Sequence, residues 1–426
     1  MEKVSPVTGV IGEVKVEVDG KSTPKEDWAD ALTYEVPDSD IFEEFSLGYG
    51  PNDLFVRLTT AEPAQYLIGE DLSICLYVSG QNRANSLTRY GEEEIGFGPS
   101  QLVALHLEDV DQEGNWNVFR YESDGWGGWN FASDIGNLSR RKASVDDFIE
   151  FKFPLETIDI DREENFIFRL SIEQRTGKGQ LNVVPDKPVR TKVPRPISGE
   201  RIISLSDPAN DDYGPGGFTY PRDSVFDYDG LFDLRRYQIF NEEDKWVFAF
   251  DFGQMTNPWS APLGFSHQLI NLYLDVRDGG RTKTYRKGAN VKFPQDSGWD
   301  YFLKVAGWPG YGRELITANG DEYKVDVSSD LKRNRVIVGV PKELLPTIGG
   351  GHYLTIFSQD GYGKDHIRDV RKESSTWQGG GSPNPSIAPN VYDYLDPEGG
   401  QKDILSNYKL EEEEFAALRP YEITGS

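Results

Sequence analysis

Four short apolar runs recur in the same order in each half of this chain, and that recurrence restricts the fold more than any other feature of the sequence. The first pair is Asp53-Leu54-Phe55-Val56-Arg57-Leu58 and Lys245-Trp246-Val247-Phe248-Ala249-Phe250, each following a polar turn. The second is Ile74-Cys75-Leu76-Tyr77-Val78 and Ile270-Asn271-Leu272-Tyr273-Leu274. Then come Ile149–Leu155 with Val336–Lys342, and Phe166–Ser171 with Tyr353–Ser358. Each run is alternating or solidly apolar over five to seven residues, with Gly, Asn or Asp in the turns between, which is the signature of strands. Helical periodicity is confined to short pieces such as Lys342–Leu345 and Glu411–Leu418. The order and near-constant offset predict a duplication. The fold class expected is all-β: two tandem antiparallel β-sandwiches, jelly-roll-like.

A chain of 426 residues is longer than one sandwich needs. Its 44 glycines and 25 prolines supply turn residues at the density such a fold requires. Pro185, Pro188, Pro194 and Pro196 lie in one short stretch that disfavours helix and central strand. The domains expected are therefore 1–190, a Pro-rich linker 191–197 continuous with 185–190, a second sandwich 198–406, and a solvated acidic tail 407–426 carrying Glu411–Glu414.

With 45 Lys+Arg against 71 Asp+Glu, the net charge is −26. No local basic patch offsets it, so a phosphate backbone is repelled and nucleic acid is excluded as a partner. The acidity suits divalent cations and neutral ligands such as sugars. Cys75 is the single cysteine, buried within the apolar run Leu72–Val78, so no intrachain disulfide forms. That does not argue against secretion. No run approaches the ~18 apolar residues of a membrane span, and Met1–Gly9 does not read as a signal peptide, so the chain reads as an excised or processed piece.

The second half carries seven ordered motifs: Asp207–Gly216; Phe232-Asp233-Leu234; Asn257-Pro258-Trp259; Gly264–Asp275; Gly307-Trp308; Ser358-Gln359-Asp360-Gly361-Tyr362-Gly363; and Pro389-Asn390-Val391-Tyr392-Asp393. Together they resemble the C-terminal module of bacterial glucodextranases, also attached to family 57 amylopullulanases, and are similar to family 9 carbohydrate-binding modules and DOMON domains. The resemblance covers roughly 198–406 and reaches the first half mainly through the repeat. It implies β-sandwiches with bound Ca2+ that hold an enzyme on glucan or on the cell surface. No catalytic domain of the parent enzymes is present in this sequence.

The run from Asp207 to Gly217 offers oxygens on a tightly turning loop, as calcium requires. Asp233 and Asp360 are expected to point inward, where a lone carboxylate is costly unless paired or metal-bound. The candidate metal ligands are Asp207, Asp211, Asp212, Asp233 and Asp360; the alternative is an acidic turn with hydrogen-bonded aspartates. Sugars stack on flat aromatic faces beside planar polar groups. Trp259, with His267, Gln268 and Asn271 soon after it, and Trp299, Trp308, Tyr362 and Trp377 in loops are the candidate carbohydrate-binding residues. In the first half, Trp126 and Trp129 lie among glycines and either clamp a sugar or form a packed hairpin tip.

Catalysis fits poorly. Among 71 acids a carboxylate pair at glycosidase spacing is uninformative. There is no Gly-x-Ser-x-Gly elbow and no His-Glu-x-x-His. Haem held by Met255 with His267 or His352 is a minor rival. The expected function is a non-catalytic α-glucan-binding tandem module of an extracellular or cell-surface amylolytic system. Its expected partners are α-glucan and a glycoside hydrolase domain or cell-envelope component, with no membrane span. The alternative is a structural cell-envelope or filament subunit built from calcium-stabilised sandwiches.

Overall fold

The structure is a computed structural model. It describes residues 5–16, 18, 24–37, 39–67, 69–79, 87–90, 94–110, 116–124, 128–134, 148–158, 165–176 and 179–423. The described chain is almost wholly β and forms two compact units, Met1–Val193 and Pro194–Ser426.

In the first unit a sheet of four strands, Leu32–Glu35, Phe42–Tyr49, Asp53–Thr60 and Phe148–Pro154, lies in that order. The other sheet has seven: Val7–Thr8, Gly179–Thr191, Phe166–Gln174, Ser73–Ser79, Gln101–Val110, Trp116–Ser123 and Trp129–Asp134. In the second unit the smaller sheet runs Glu200–Ser206, Leu234–Asn241, Lys245–Phe252, Arg335–Pro341, Asp326–Asp330. The larger runs Glu322–Lys324, Arg313–Thr317, Tyr301–Ala306, Gln268–Asp275, Gly350–Lys364, Asp393–Tyr394, with Tyr421–Ile423 also on Gly350–Lys364.

The repeated runs occupy equivalent places. Leu54 pairs with Phe153 as Trp246 pairs with Val340, and Leu58 pairs with Ile149 as Phe250 pairs with Val336. Leu76 pairs with Leu170 and Leu272 with Leu354. The last match sets the fourth runs in register differently from the sequence: Leu170 corresponds to Leu354, whereas aligning Phe166 with Tyr353 puts it at Phe357. Side chains alternate faces, so a three-residue slip exchanges the faces of a strand. Leu170 and Leu354 fill the cores between sheets, while Phe357 belongs to a separate cluster on the outer face.

That outer face explains why Gln268–Leu274 is buried on both sides. Ile270, Leu272 and Leu274 point between the sheets, and Leu269 and Tyr273 point outward beneath Phe293, Trp299, Leu405 and Leu418. A strand covered on both sides has no solvated face to keep polar. Each such buried large side chain contributes about 2 kcal/mol.

Two expected segments are corrected. Residues 185–190, expected within a spacer, belong to the strand Gly179–Thr191. Arg169 lies alone between the pairs Phe168–Val189 and Leu170–Val184, so Pro185 and Pro188 sit in a wide bulge where no ladder N–H is needed. Arg169 satisfies the bulge, donating to the carbonyls of Pro185 (2.8 Å), Asp186 (2.5 Å) and Ile95 (3.0 Å). The segment after 406 is no solvated tail. Ala416–Ala417 pairs with Val291–Lys292, Tyr421–Ile423 pairs with Gly350–His352, and Leu418 and Ile423 are buried. Glu411–Glu413 form only an exposed turn, and the apolar residues that follow it return to the fold.

Candidate functional site

Register decides which loops of the second unit come together. Gln268 pairs with Ser358 and Leu269 with Ala306, so the chain preceding 268, following 306 and following 358 emerges side by side at one end of the larger sheet. These segments and the loop at 377–378 enclose a groove of about 700 Å³. Trp259 comes from the first, Trp308 and Tyr311 from the second, Gln359, Asp360 and Tyr362 from the third, and Trp377 and Gln378 from the loop, with Arg368 at its base.

Tyr362 is fully exposed and Trp377 is 45% exposed, so both rings offer an open face. Trp259 is half-buried against Phe226 (5.8 Å between ring centroids) and His267 (4.8 Å). Trp308 stacks near-parallel on Tyr311 at 6.2 Å, and Tyr311 lies flat on His366 at 3.5 Å. Gln359 Nε2 donates to the Tyr311 hydroxyl (2.5 Å), and Asp360 Oδ1 accepts from the Tyr362 N–H (3.0 Å). Glycines let the Trp377 loop seat closely: a Cβ on Gly379 would lie 1.9 Å from the Tyr392 hydroxyl, and one on Gly381, whose φ is +103°, 2.1 Å from the Gly217 carbonyl. The result is an aromatic groove edged by amides and one carboxylate, chemistry suited to stacking and hydrogen-bonding a sugar.

Several expected binding residues lie elsewhere. His267 has no exposed surface and sits beneath Trp259 and Phe226; burial, then the Arg368 charge, pushes its pKa down to about 3. Neither ring nitrogen finds a partner among the described residues. Gln268 points between the sheets, donating to the carbonyls of Leu231 (2.6 Å) and Gln254 (3.1 Å). Asn271 is buried opposite Lys304 and Thr355, three residues along the strand from Gln268. Trp299 has no exposure and packs on Tyr273 and Phe302, its Nε1 donating to the Lys283 carbonyl (2.9 Å). Its glycine-flanked position reads as an open loop, but that loop roofs the outer core. Trp129 belongs to the first unit, packs on Tyr77 (5.3 Å) and donates to the Leu87 carbonyl (3.2 Å), as a staple does. Trp126 lies outside the described residues.

A second cluster is acidic. One carboxylate oxygen from each of Asp207, Asp211 and Asp393 lies within 4.8 Å of the others. Oxygens so spaced can share one ion at the ~2.4 Å that calcium prefers. Asp207 Oδ2, Asp211 Oδ1 and the neighbouring Asp233 Oδ1 are buried with no hydrogen-bond partner among the described residues. Burial, reinforced by the adjacent carboxylates, pushes Asp207 up to about 8, Asp211 to about 6 and Asp233 to about 7, and drives Asp393 well above the usual carboxylate range. The donor set therefore fits a hard cation.

Of the five expected metal ligands, Asp207 and Asp211 belong to this cluster and Asp233 adjoins it, paired with Arg235 (2.7 Å). Asp212 instead accepts from the Tyr220 hydroxyl and the Phe232 N–H, and Asp360 is in the groove wall. Asp393, within the motif Val391-Tyr392-Asp393, joins the cluster without being among the sequence candidates, because no spacing links it to Asp207. At the matching end of the larger sheet in the first unit, Asp71 accepts from the N–H of Arg175 (3.2 Å) and Thr176 (3.0 Å), and Arg175 pairs with Glu108.

An all-β sandwich with an aromatic groove at one end of a sheet and a buried acidic cluster defines a ligand-binding module. Residues 202–420 match the family described as the C-terminal binding module, SLH-like, of glucodextranase. The chain belongs to that family, and the match includes much of the segment after 406. Membership points to a non-catalytic, carbohydrate-binding role. No curated protein matches the chain. Among the described residues no helix is long and apolar enough to cross a membrane.

Proposed function

We propose that this chain is a non-catalytic module that holds neutral α-glucan in the groove of its second unit, as part of an extracellular or cell-surface amylolytic system. The observation that carries the reading is the convergence of Trp259, Trp308, Tyr311, Tyr362 and Trp377, from four separate segments, on one cavity that also holds Gln359 and Asp360. Exposed aromatic faces beside hydroxyl-binding groups suit a chain of sugar rings, and Asp360 with the acidic surface disfavours anionic glycans. Calcium is the proposed structural ion, held by Asp207, Asp211 and Asp393; when bound it neutralises carboxylates that burial otherwise forces to hold protons.

Affinity electrophoresis through gels containing pullulan, amylopectin or dextran, with calcium and with chelator, tests this. Retardation by an α-glucan is expected, and Trp377→Ala or Trp308→Ala should weaken it about tenfold or more, a loss of ~1.4 kcal/mol or greater. Trp299→Phe, in the core, should not. Unchanged mobility in every glucan sinks the reading and favours an envelope or assembly domain.

A further inference from the structure

Two segments that line the groove, Gln359–Tyr362 and the Trp377 loop, meet at one guanidinium. Arg368 is 6% exposed. Its Nη2 donates to the Gln359 carbonyl at 2.8 Å and its Nη1 to the Trp377 carbonyl at 2.5 Å. Nε donates to Ser358 Oγ at 3.1 Å, and Nη1 faces Asp360 Oδ2 at 3.5 Å. The guanidinium lies over Phe226 at 5.3 Å, and Phe226 contacts the rings of both Trp377 (6.4 Å) and Trp259 (5.8 Å).

Arg368 thus borders the groove with its donors already committed to the protein. A charge is costly to bury unless every side is paired, and here the pairing is to two backbone carbonyls, a hydroxyl and a carboxylate. Those acceptors belong to both walls, so the rigid fork fixes their separation. A lysine has one ammonium on a flexible stem and cannot span the same acceptors.

We propose that Arg368 is a positioning residue of the groove, setting the distance between the Trp377 wall and the Gln359–Tyr362 wall so that a glucan chain is gripped from both sides. The gripping rests on the glucan reading above; the positioning does not.

The test uses the full chain labelled with fluorotryptophan, with the Trp377 and Trp299 resonances assigned by Trp→Phe variants. In Arg368→Lys the Trp377 fluorine resonance should shift or broaden with no glycan present, while that of Trp299, in the outer core, stays in place. Retardation by pullulan should fall about tenfold. An unmoved Trp377 resonance overturns the proposal. So does displacement of Trp299 together with Trp377, because that marks general loosening. Should Arg368→Lys fail to fold, Ser358→Ala removes only the Nε acceptor, and the same two resonances decide. If the wild-type chain binds no glucan the functional reading fails, yet the Trp377 resonance still decides whether Arg368 sets the wall.

Discussion

At Asp393 a carboxylate with no exposed surface accepts the N–H groups of Leu234 (2.6 Å) and Tyr394 (2.7 Å) and still faces Asp207 and Asp211. Without a cation, these neighbours repel, and protons replace charge. Asp393→Asn separates the two states. In chelator it should lower Tm modestly, because its amide nitrogen replaces one of the two oxygens that accept the Leu234 and Tyr394 N–H groups. With calcium at about 100 times its Kd, the wild type should gain about 5 °C, corresponding to ~2.7 kcal/mol of linkage. The variant should gain little. Differential scanning calorimetry with and without calcium measures both, and an equal calcium shift in the two proteins would remove Asp393 from the site.

Among the elements, the C-terminal segment differs most from its composition. Lys409 pairs with Glu412 and Glu414 at the surface, but the chain then returns to cover the outer core with Leu418 and to add Tyr421–Ile423 to the long strand Gly350–Lys364. Truncation after Ser406 should lower unfolding stability by about 3 kcal/mol or more, since Leu418 and Ile423 alone bury about 2 kcal/mol each. Urea unfolding measures it; an unchanged midpoint would mean the segment is a solvated tail after all. Strand existence was legible here from apolar runs, because period and turn residues are local properties. Register in the fourth run was not, since two alignments three residues apart have equally apolar sequences and only pairing with Ser73–Ser79 or Gln268–Asp275 chooses between them.

Across the whole molecule, three histidines are held neutral by burial. His106 in the first unit and His267 in the second are pushed down to about 3, and His352 to about 4. In each the unfolded chain takes up a proton near pH 6.5 while the folded chain does not. Their contribution to stability is complete above pH 6.5 and is lost as pH falls toward 4, at about 1.4 kcal/mol per pH unit for each. His106→Gln and His352→Gln should each flatten the dependence of unfolding free energy on pH over that window relative to wild type. Parallel curves would show that the ring is already protonated in the fold.

The amino-acid order alone determined the all-β class, the repeat, the aromatic content of the loops and the acidic opening of the second unit. Each is a local pattern, set by side-chain period, turn chemistry and composition. Tertiary structure decided which of the candidates meet. Trp299 follows Gly298 and Trp377 lies two residues from Ser375 and Gly379, yet one roofs a core and the other opens on the groove, because only the packing of the outer face tells a covering loop from a free one. Asp393 joins Asp207 because the strand Asp393–Tyr394 pairs with Gly350–Lys364, a long-range contact with no fixed spacing. Arg368 ties the walls for the same reason: its acceptors converge only when register sets the loops side by side.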